Sequence, residues 1–555
     1  MPPKLLIIGL DSATYDVIRP AAELGLVPHI ARLMAEGTSL TLLSSRPPLT
    51  PVAWTTMMTG VSAGRHGILD FRELTPGTYF LERSAGTLCR SKQLWRLLSD
   101  AGLTVGAYNF PWTDTRGPIN GFLIGGKDLA GTPARCQPRA LAKELQAVFG
   151  LSALDDLPPS PTDGQYDMEE LRAHVYSLFG VAGHLLSRQP LDAFGVNLMA
   201  TDHVQHHVVG LPSADGRPHQ TLLGLYQAVD EAIGELLAHA ADDTIVVVVS
   251  DHGAGPFRER INVYAVLREL GFAAFRDGLP AWDAPPAPAT AIRRRRRRTL
   301  LRPGKAVLRP LKSLKRRLMP LWRRTGVANR LFRHLDWSRT RVFCWGPFPG
   351  FRVNVVGREP RGLVQPSDYE ATCDELVAGL LAFRHPRTGE PLFDWAAKTD
   401  DIYPGLPAQG TPDVLALTAG HAYGSDIHVP YPDAPVILQP EDVARFNPAA
   451  AHLTGNHRPE GVCILRGPGV KQGAVPAEPA TLLDFLPTVL HLLGLAIPEG
   501  LEGRVIESAL EQPVGDRAVY TDLSLAVEAA GSVQDYSGEE AEQVEERLRD
   551  LGYLE

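Results

Sequence analysis

Short apolar runs that alternate with amphipathic helical patterns constrain the fold of this chain more than any other feature. The first run, KLLIIGLD at 4–11, has the length and composition of a buried parallel strand. Similar runs follow at 104–110, 193–202, 244–251, 412–417 and 461–469. Helical patterns lie between them, as at 167–187 and 220–240. Strands that alternate with helices predict an α/β fold in which a mostly parallel sheet is sandwiched by helices.

The stretch from 278 to 330 interrupts this alternation. A linker rich in Pro and Ala precedes a basic segment at 293–330, which contains sixteen Lys and Arg and no acidic residue. Beyond it, the pattern predicts a hairpin at 340–356 and a helix at 367–382. We therefore expect an α/β core in two parts, 1–265 and 411–520, that resumes the central sheet at 412–417. An inserted capping region at 266–410 would separate the two parts, and a charged helical tail at 521–555 would follow them.

The bulk composition is that of a globular protein in a reducing compartment. The chain has 555 residues, of which 44% are hydrophobic, so it can bury a sizeable core. Its five cysteines are scattered without a CxxC pair, which argues against a disulfide framework or a zinc–thiolate site. No apolar run reaches about eighteen residues, and the N-terminal run is too short for a signal peptide. We expect a cytoplasmic protein without a membrane-spanning helix.

The stretch PPLTPVAWTTMMTG at 47–60 predicts a helix with a threonine at its start. Pro51 suits the first helical position, Thr50 the N-cap before it, and Gly60 the residue that ends the helix. A capping hydroxyl bonds a backbone N–H. The same hydroxyl could act as a nucleophile, because the positive end of a helix also holds phosphate. The local sequence leaves both interpretations open.

Three apolar runs end in aspartate, at Asp11, Asp202 and Asp251. Ligands of open α/β sheets bind beyond the carboxyl ends of the strands, so these carboxylates are expected to converge. In ATDHVQHHVVG at 200–210, a helical turn would place His206 on the face of Asp202, while His203 and His207 would point elsewhere. An aspartate followed by a histidine four positions later can bind one metal ion.

Further imidazoles follow the later strands. In VVVVSDHGAG at 246–255, four valines lead directly to Asp251 and His252, and a buried charge at that position needs a counter-charge. His457 precedes the run at 461–469, although His421 and His452 compete with it on composition alone. Carboxylate and imidazole ligands without thiolate suit zinc or manganese at a hydrolytic site. Two groups of ligands indicate two ions, about 4 Å apart, as in enzymes that transfer phosphoryl groups.

In their order along the chain, these motifs resemble the alkaline phosphatase superfamily. The resemblance is greatest to the type I phosphodiesterase/nucleotide pyrophosphatase branch and its predicted phosphohydrolase/phosphomutase relatives. It covers most of the chain and includes IIGLDSATYD, PPLTPVAWTTMMTG, GRHGILDF, TDHVQHH, VVSDHG, GNHRPEGVCILRGPG and LLDFLPTVLHLLGL. The resemblance implies an alkaline-phosphatase-like fold and two divalent ions, zinc or alternatively manganese. One ion would be held by Asp202, His206 and His457, the other by Asp11, Asp251, His252 and the nucleophile Thr50.

The departures from the family pattern bear on the reaction. Thr50 and Trp54 stand where a sulfatase would have a modifiable Cys or Ser and a basic residue, which argues against a sulfatase. Diesterases of this branch carry a phosphate-binding asparagine twenty-one residues after the nucleophile, where this chain has Phe71. Asn109, Lys127 or Arg72 could replace that donor. The choice between a monoester and a diester substrate therefore stays open.

The function implied by the resemblance is the hydrolysis of a small phosphate ester through a phosphothreonine on Thr50. Two alternatives remain: a phosphomutase or phosphotransferase with the same site, and a non-enzymatic protein that binds a membrane or nucleic acid. Retention of the whole ligand set argues against the second. Within the basic segment, apolar residues at 307, 311, 314, 318 and 321 approach helical spacing. This pattern predicts peripheral contact with an anionic membrane through 293–324, whereas nucleic acid would leave the leucine stripe unexplained.

Overall fold

The computed structural model describes most of the chain. The described residues are 2–126, 136–150, 158, 161, 165–282, 331–427, 431–514 and 520–521, with breaks at 212, 214–215, 347, 349, 408–409 and 449. Lys127, the basic segment and the proposed tail beyond 521 lie outside them. All five cysteines are described, and each is a buried free thiol. No helix among the described residues is long and apolar enough to cross a membrane.

The helices and strands follow the alternation expected from the sequence. The described strands are Leu5–Leu10 (β1), Thr38–Leu43 (β2), Arg72–Leu74 (β3), Leu81–Arg83 (β4), Val105–Phe110 (β5), Gly121–Gly125 (β6), Cys136–Gln137 (β7), Ala193–Leu198 (β8), Ile245–Val249 (β9), Gly253–Pro256 (β10), Glu259–Asn262 (β11), Val342–Cys344 (β12), Gly350–Val353 (β13), Phe393–Lys398 (β14), Val414–Thr418 (β15), Tyr423–Asp426 (β16), Ile437–Leu438 (β17), Gly455–Arg458 (β18), Glu460–Arg466 (β19), Ala480–Thr481 (β20), Ile497–Pro498 (β21) and Tyr520–Thr521 (β22). The described α-helices are Tyr15–Glu23 (α1), Pro28–Glu36 (α2), Thr50–Thr59 (α3), Ala63–His66 (α4), Leu94–Asp100 (α5), Arg139–Phe149 (α6), Met168–Arg188 (α7), Ala200–Val208 (α8), Gln220–Leu237 (α9), Val263–Glu269 (α10), Tyr369–Ala382 (α11), Thr399–Ile402 (α12), Pro440–Phe446 (α13) and Leu482–Leu492 (α14).

A large, mostly parallel sheet forms the centre of the molecule. Nine of the described strands lie in the order β20-β2-β19-β9-β1-β8-β5-β6-β7. The five strands from β9 to β6 run parallel to one another. Strand β19 runs antiparallel to both of its neighbours, β2 and β9, so the apolar run at 461–469 differs in direction from the first run of the chain. The expected fold class, a mostly parallel sheet between helices, is confirmed.

Both faces of this sheet are buried by helices. Along β1, Leu6 and Ile8 face one apolar cluster, which α1, α2, α7 and α9 complete. Leu5 and Ile7 face the opposite cluster, to which α3, α5 and α14 contribute. Successive side chains of a strand point to opposite faces, so a strand covered on both sides must be apolar throughout. The unbroken apolar runs in the sequence are a direct consequence of this burial.

A second, smaller sheet packs its own apolar core. Strands β12, β13, β15 and β14 pair antiparallel in that order. The expected hairpin at 340–356 and helix at 367–382 correspond to β12–β13 and α11. The expectation that the chain resumes the central sheet at 412–417 is wrong, because β15 pairs with β13 and β14 instead. A short apolar run indicates that a strand is buried, but it does not indicate which sheet the strand joins. The boundaries at 265 and 410 stay predictions.

Candidate active site

The three aspartates lie at one edge of the central sheet because their strands are neighbours. Asp11 directly follows β1, and Asp251 follows β9 by two residues. Asp202 lies in the first turn of α8, which begins at Ala200. Strands β9, β1 and β8 are adjacent and parallel, so the residues that follow them share the carboxyl edge. All three aspartates are buried.

Asp202, His206 and His457 form the first group of potential ligands. The Nε2 atoms of His206 and His457 lie 3.4 and 3.2 Å from Asp202 Oδ1. The two Nε2 atoms are 3.0 Å apart. The contact between Asp202 and His206 follows from their four-residue spacing on one helix.

His457 reaches this group through pairing between distant segments. Strand β18, which carries it, pairs antiparallel with β10, so that Ala254 lies opposite His457. Two glycines of β10 allow the close approach. A Cβ at Gly253 would clash with the Glu460 carbonyl, and one at Gly255 would clash with the Arg458 side chain. Gly253 is therefore needed for this backbone approach, whereas the flexible Arg458 side chain could shift to admit a Cβ at position 255.

Asp11, Asp251, His252 and Thr50 form the second group. His252 Nε2 lies 3.7 Å from Asp11 Oδ1, 3.3 Å from Asp251 Oδ2 and 3.4 Å from Thr50 Oγ1. The rings of His252 and His457 stack with their centroids 3.8 Å apart, so the two groups adjoin. Asp11, Asp251 and His252 offer atoms close enough together to share one ion, as do Asp202, His252 and His457.

Backbone contacts fix the tautomers of the three histidines. His206 Nδ1 lies 3.1 Å from the Gly455 carbonyl, His457 Nδ1 2.6 Å from the Pro48 carbonyl and His252 Nδ1 3.1 Å from the Gly253 carbonyl. A carbonyl oxygen only accepts hydrogen bonds, so each Nδ1 carries the proton. Each Nε2 of a neutral ring therefore presents a lone pair to the carboxylates, which is the arrangement of a metal-binding histidine.

Burial and the charges of neighbouring ligands together set the pKa values at the site. Burial and the Asp202 charge raise the pKa of Asp251 well above its usual value. Burial and the nearby His457 lower the pKa of His252 well below its usual value. For Asp202, the opposing effect of burial is outweighed by His206 and His457, and its pKa is lowered. Several carboxylates thus share a dry site, where a cation would offset their repulsion.

Thr50 lies at the start of α3, as expected, but it does not cap the helix. The helix begins with Thr50 itself, Leu49 occupies the N-cap position, and no side chain makes a capping hydrogen bond. The expected cap is therefore wrong by one residue, because Leu49 already has the extended backbone of a cap. Gly60 ends the helix in the left-handed conformation, as expected. The Thr50 hydroxyl is left to face His252.

Two other residues named for substrate binding lie in packed surroundings. Phe71 belongs to an apolar cluster with Leu49 and Phe348, and its ring contacts Trp112 edge to face at 5.5 Å. Asn109 lies inside β5, one residue before the strand ends, and its side-chain amide donates a hydrogen bond to the Asn197 backbone carbonyl at 2.9 Å. Lys127 lies outside the described residues.

Four other candidate histidines, His203, His207, His421 and His452, and Arg72 are not members of the two ligand groups. His203 and His207 are buried near Tyr166, and their ring nitrogens have no hydrogen-bond partner among the described residues. Burial lowers the pKa of His203 to about 4 and that of His207 to about 3, so both rings are neutral. His421 and His452 lie on short 3₁₀ turns, and Arg72 begins the small hairpin β3–β4.

Two aromatic residues at the site were not predicted to act there. Trp54 Nε1 donates a hydrogen bond of 2.8 Å to Asp11 Oδ2. Its position one helical turn after Thr50 was the available signal, since residues four apart share a helix face. Phe348 comes from the segment between β12 and β13, and its ring lies 5.4 Å from that of His457. No local pattern indicates that contact.

The chain is similar to known proteins in sequence and in fold. The family model of type I phosphodiesterase/nucleotide pyrophosphatase matches residues 5–423. Human ectonucleotide pyrophosphatase/phosphodiesterase 5 has a similar fold, with a TM-score of 0.50 at 12% identity, over 92% of this chain and 100% of that one. Phosphonoacetate hydrolase from Sinorhizobium meliloti 1021, in complex with phosphonoformate, has a TM-score of 0.49 at 14% identity, over 87% of this chain and 94% of that one. A search of curated proteins gives no significant match. The chain belongs to the type I phosphodiesterase/nucleotide pyrophosphatase family, and it is a hydrolase of phosphoric esters.

Proposed function

We propose that the chain hydrolyses a small phosphate ester with two divalent metal ions and a covalent phosphothreonine at Thr50. One observation carries the metal dependence. His206 and His457 both hold their proton on Nδ1, yet their Nε2 atoms lie 3.0 Å apart and face the same Asp202 oxygen. Three electron pairs at this separation repel one another unless a cation lies between them. The donor set therefore fits a divalent ion.

The two groups would hold two ions. Asp202, His206 and His457 would bind one, and Asp11, Asp251 and His252 would bind the other beside Thr50. Oxygen and nitrogen ligands without thiolate suit zinc, with manganese as the alternative. When bound, such a pair of ions supplies positive charge to the attacking and leaving oxygens of a phosphoryl transfer.

Thr50 supplies the nucleophile in the first step. Its Oγ1 gives its proton to solvent and forms a bond to phosphorus, while the leaving oxygen departs with the bonding electron pair and takes up a proton. In the second step, water forms a bond to phosphorus and gives up a proton, the bond between phosphorus and Thr50 Oγ1 breaks, and Oγ1 takes up a proton. The N-terminal end of α3 points its backbone dipoles at the site, which stabilises negative charge in both steps.

The experiment is a comparison of substrates and metals. Wild-type protein is stripped with a chelator, reloaded with zinc or manganese, and assayed with a nitrophenyl phosphate monoester and diester. We expect activity to disappear on stripping and return on reloading, and Asp202→Asn to bind less metal. Brief incubation with labelled substrate should leave label on wild-type protein and none on Thr50→Val. Full activity in metal-free protein would contradict the proposal.

The same assay tests the alternative of phosphoryl transfer. An added acceptor alcohol would receive the phosphoryl group in a transferase, whereas a hydrolase releases inorganic phosphate or a phosphomonoester. A phosphorylated alcohol as the main product would change the proposed acceptor from water to an alcohol. It would leave the proposed role of Thr50 intact.

We also propose, from the sequence alone, that residues 293–324 contact an anionic membrane from the cytoplasmic side. The support is the density of Lys and Arg around an apolar stripe, since each basic residue near such a surface contributes about 1 kcal/mol. Co-sedimentation with anionic vesicles at low salt, lost on deletion of 293–324, is the expected result. Equal recovery with neutral and anionic vesicles would contradict it.

A further inference from the structure

Trp54 connects the helix of Thr50 to a carboxylate of the second ligand group. It lies one turn after Thr50 on α3, and its side chain is fully buried. The indole Nε1 donates to Asp11 Oδ2 at 2.8 Å. The ring is held by edge-to-face contact with Phe110, at a centroid distance of 5.4 Å. A Cβ at Gly9 would come within 2.8 Å of the indole Cη2, so the backbone of β1 confines the ring as well.

This hydrogen bond gives the two oxygens of Asp11 different surroundings. Oδ2 accepts from the indole, while Oδ1 lies 3.7 Å from His252 Nε2. An indole N–H only donates, and it does so in one direction fixed by the ring. The bond therefore sets the plane of the carboxylate and directs Oδ1 toward the second ligand group.

We propose that Trp54 is a positioning residue for Asp11, which it orients for metal binding from the helix that carries Thr50. This inference rests on the proposed function, because it assumes that Asp11 binds an ion. It also explains why an aromatic residue stands where a basic residue would be expected in a sulfatase. In this chain the side chain at this position contacts the Asp11 carboxylate. Removal of a hydrogen-bond donor that orients a metal ligand typically weakens metal binding by about 10- to 100-fold.

Trp95 provides a matched control inside the same core. It is also buried and packs against Phe110, with a centroid distance of 5.3 Å. Its indole Nε1, however, has no hydrogen-bond partner among the described residues. Trp54→Phe and Trp95→Phe remove a similar volume from the same cluster, but only the first removes a hydrogen bond to Asp11.

The test measures metal binding independently of activity. Chelator-stripped wild type, Trp54→Phe and Trp95→Phe are titrated with zinc in competition with a chromogenic chelator, and the cobalt-substituted proteins are compared by visible absorption. We expect Trp54→Phe to bind one of its two ions about 10- to 100-fold more weakly and to change the cobalt spectrum. Trp95→Phe should match wild type in both measurements.

A rescue variant separates positioning from packing. The imidazole Nε2 occupies the same place in its five-membered ring as the indole Nε1, so Trp54→His restores a donor while removing more volume than Trp54→Phe. If Trp54 positions Asp11, Trp54→His binds zinc more tightly than Trp54→Phe, although it is less stable to urea without metal. If the indole ring serves only for packing, the zinc affinity of each variant follows its stability. Trp54→His then binds zinc more weakly than Trp54→Phe. If Trp54→Phe does not fold, the test rests on Trp54→His. A zinc affinity within about threefold of that of wild type supports the positioning role of Trp54, and a larger loss of affinity overturns it.

Failure of the inference is distinguishable from failure of the proposed function. If wild type binds two ions and Trp54→Phe binds them equally well, the inference is overturned and the metal-dependent function stands. If wild type binds no divalent ion, both are overturned.

Discussion

Replacement of Thr50 by valine tests whether its hydroxyl acts as the nucleophile or stabilises the helix. The side chain is 2% exposed, and valine has nearly its shape. A threonine that caps a helix contributes about 1 kcal/mol through its bond to a backbone N–H. Thr50 makes no such bond, and its Oγ1 lies 3.4 Å from His252 Nε2. We therefore expect Thr50→Val to change the free energy of unfolding of the metal-free protein by less than about 1 kcal/mol.

The effect of Thr50→Val on turnover should be much larger than its effect on stability. Loss of the nucleophile should lower kcat/KM by about 10³-fold or more, which corresponds to at least about 4 kcal/mol of transition-state stabilisation. Thr50→Ser retains a hydroxyl and should keep measurable activity. Thr50→Ala should resemble Thr50→Val in turnover.

Thr55 supplies the control on the same helix. It is buried, and its hydroxyl donates to the Pro51 carbonyl at 2.6 Å without facing the ligand groups. Thr55→Val should stay within a few-fold of wild type in kcat/KM, since such bonds within a helix contribute little. Urea unfolding and nitrophenyl ester hydrolysis are the two assays. Turnover of Thr50→Val within about tenfold of wild type would refute the nucleophile assignment, and unfolding at much lower urea than Thr55→Val would indicate a structural role.

Three further predictions address the ligands, the acid stability and the substrate. His206→Ala should remove about one bound ion and most activity, whereas His203→Ala should keep both ions; equal metal contents would contradict the division of the histidines. Burial lowers the pKa of His66 to about 3, so below pH 6.5 the unfolded chain takes up a proton that the folded protein does not. The free energy of unfolding therefore falls by up to about 1.4 kcal/mol per pH unit as the pH decreases from 6.5. His66→Asn keeps an acceptor for the Ile68 N–H and should show a shallower fall in urea unfolding between pH 6.5 and 5; identical slopes would contradict this. Phe71→Asn should raise the ratio of diester to monoester kcat/KM, measured against Phe71→Leu as the apolar control, and an unchanged ratio would place Phe71 outside the substrate pocket.

Local sequence was sufficient for the parts of the site that depend on one element or on strand direction. Asp202 and His206 contact each other because they are four residues apart on one helix. Asp11 and Asp251 were predicted to meet because parallel strands end at a common edge, and β1 and β9 are indeed neighbours. The first relation needs only the helix, whereas the second also needs the two parallel strands to be neighbours in the sheet.

Other relations depended on pairings between distant segments. The direction of β19 and the placement of β15 in the smaller sheet follow from hydrogen-bond partners that a short apolar run does not encode. His421 and His452 could not be separated from His457 by composition. The pairing of β18 with β10 brings His457 to Asp202, over an approach that Gly253 permits.

The sequence by itself determined the fold class, the family and the identities of the candidate ligands, because burial pattern, helical spacing and motif order are properties of contiguous residues. Tertiary structure alone decided how the side chains are oriented. Leu49 takes the N-cap, which leaves the Thr50 hydroxyl facing His252. Trp54 turns its indole N–H to Asp11. Hydrogen bonds and close packing act over a few ångströms, so such contacts exist only after strands and helices far apart in the chain have been brought together.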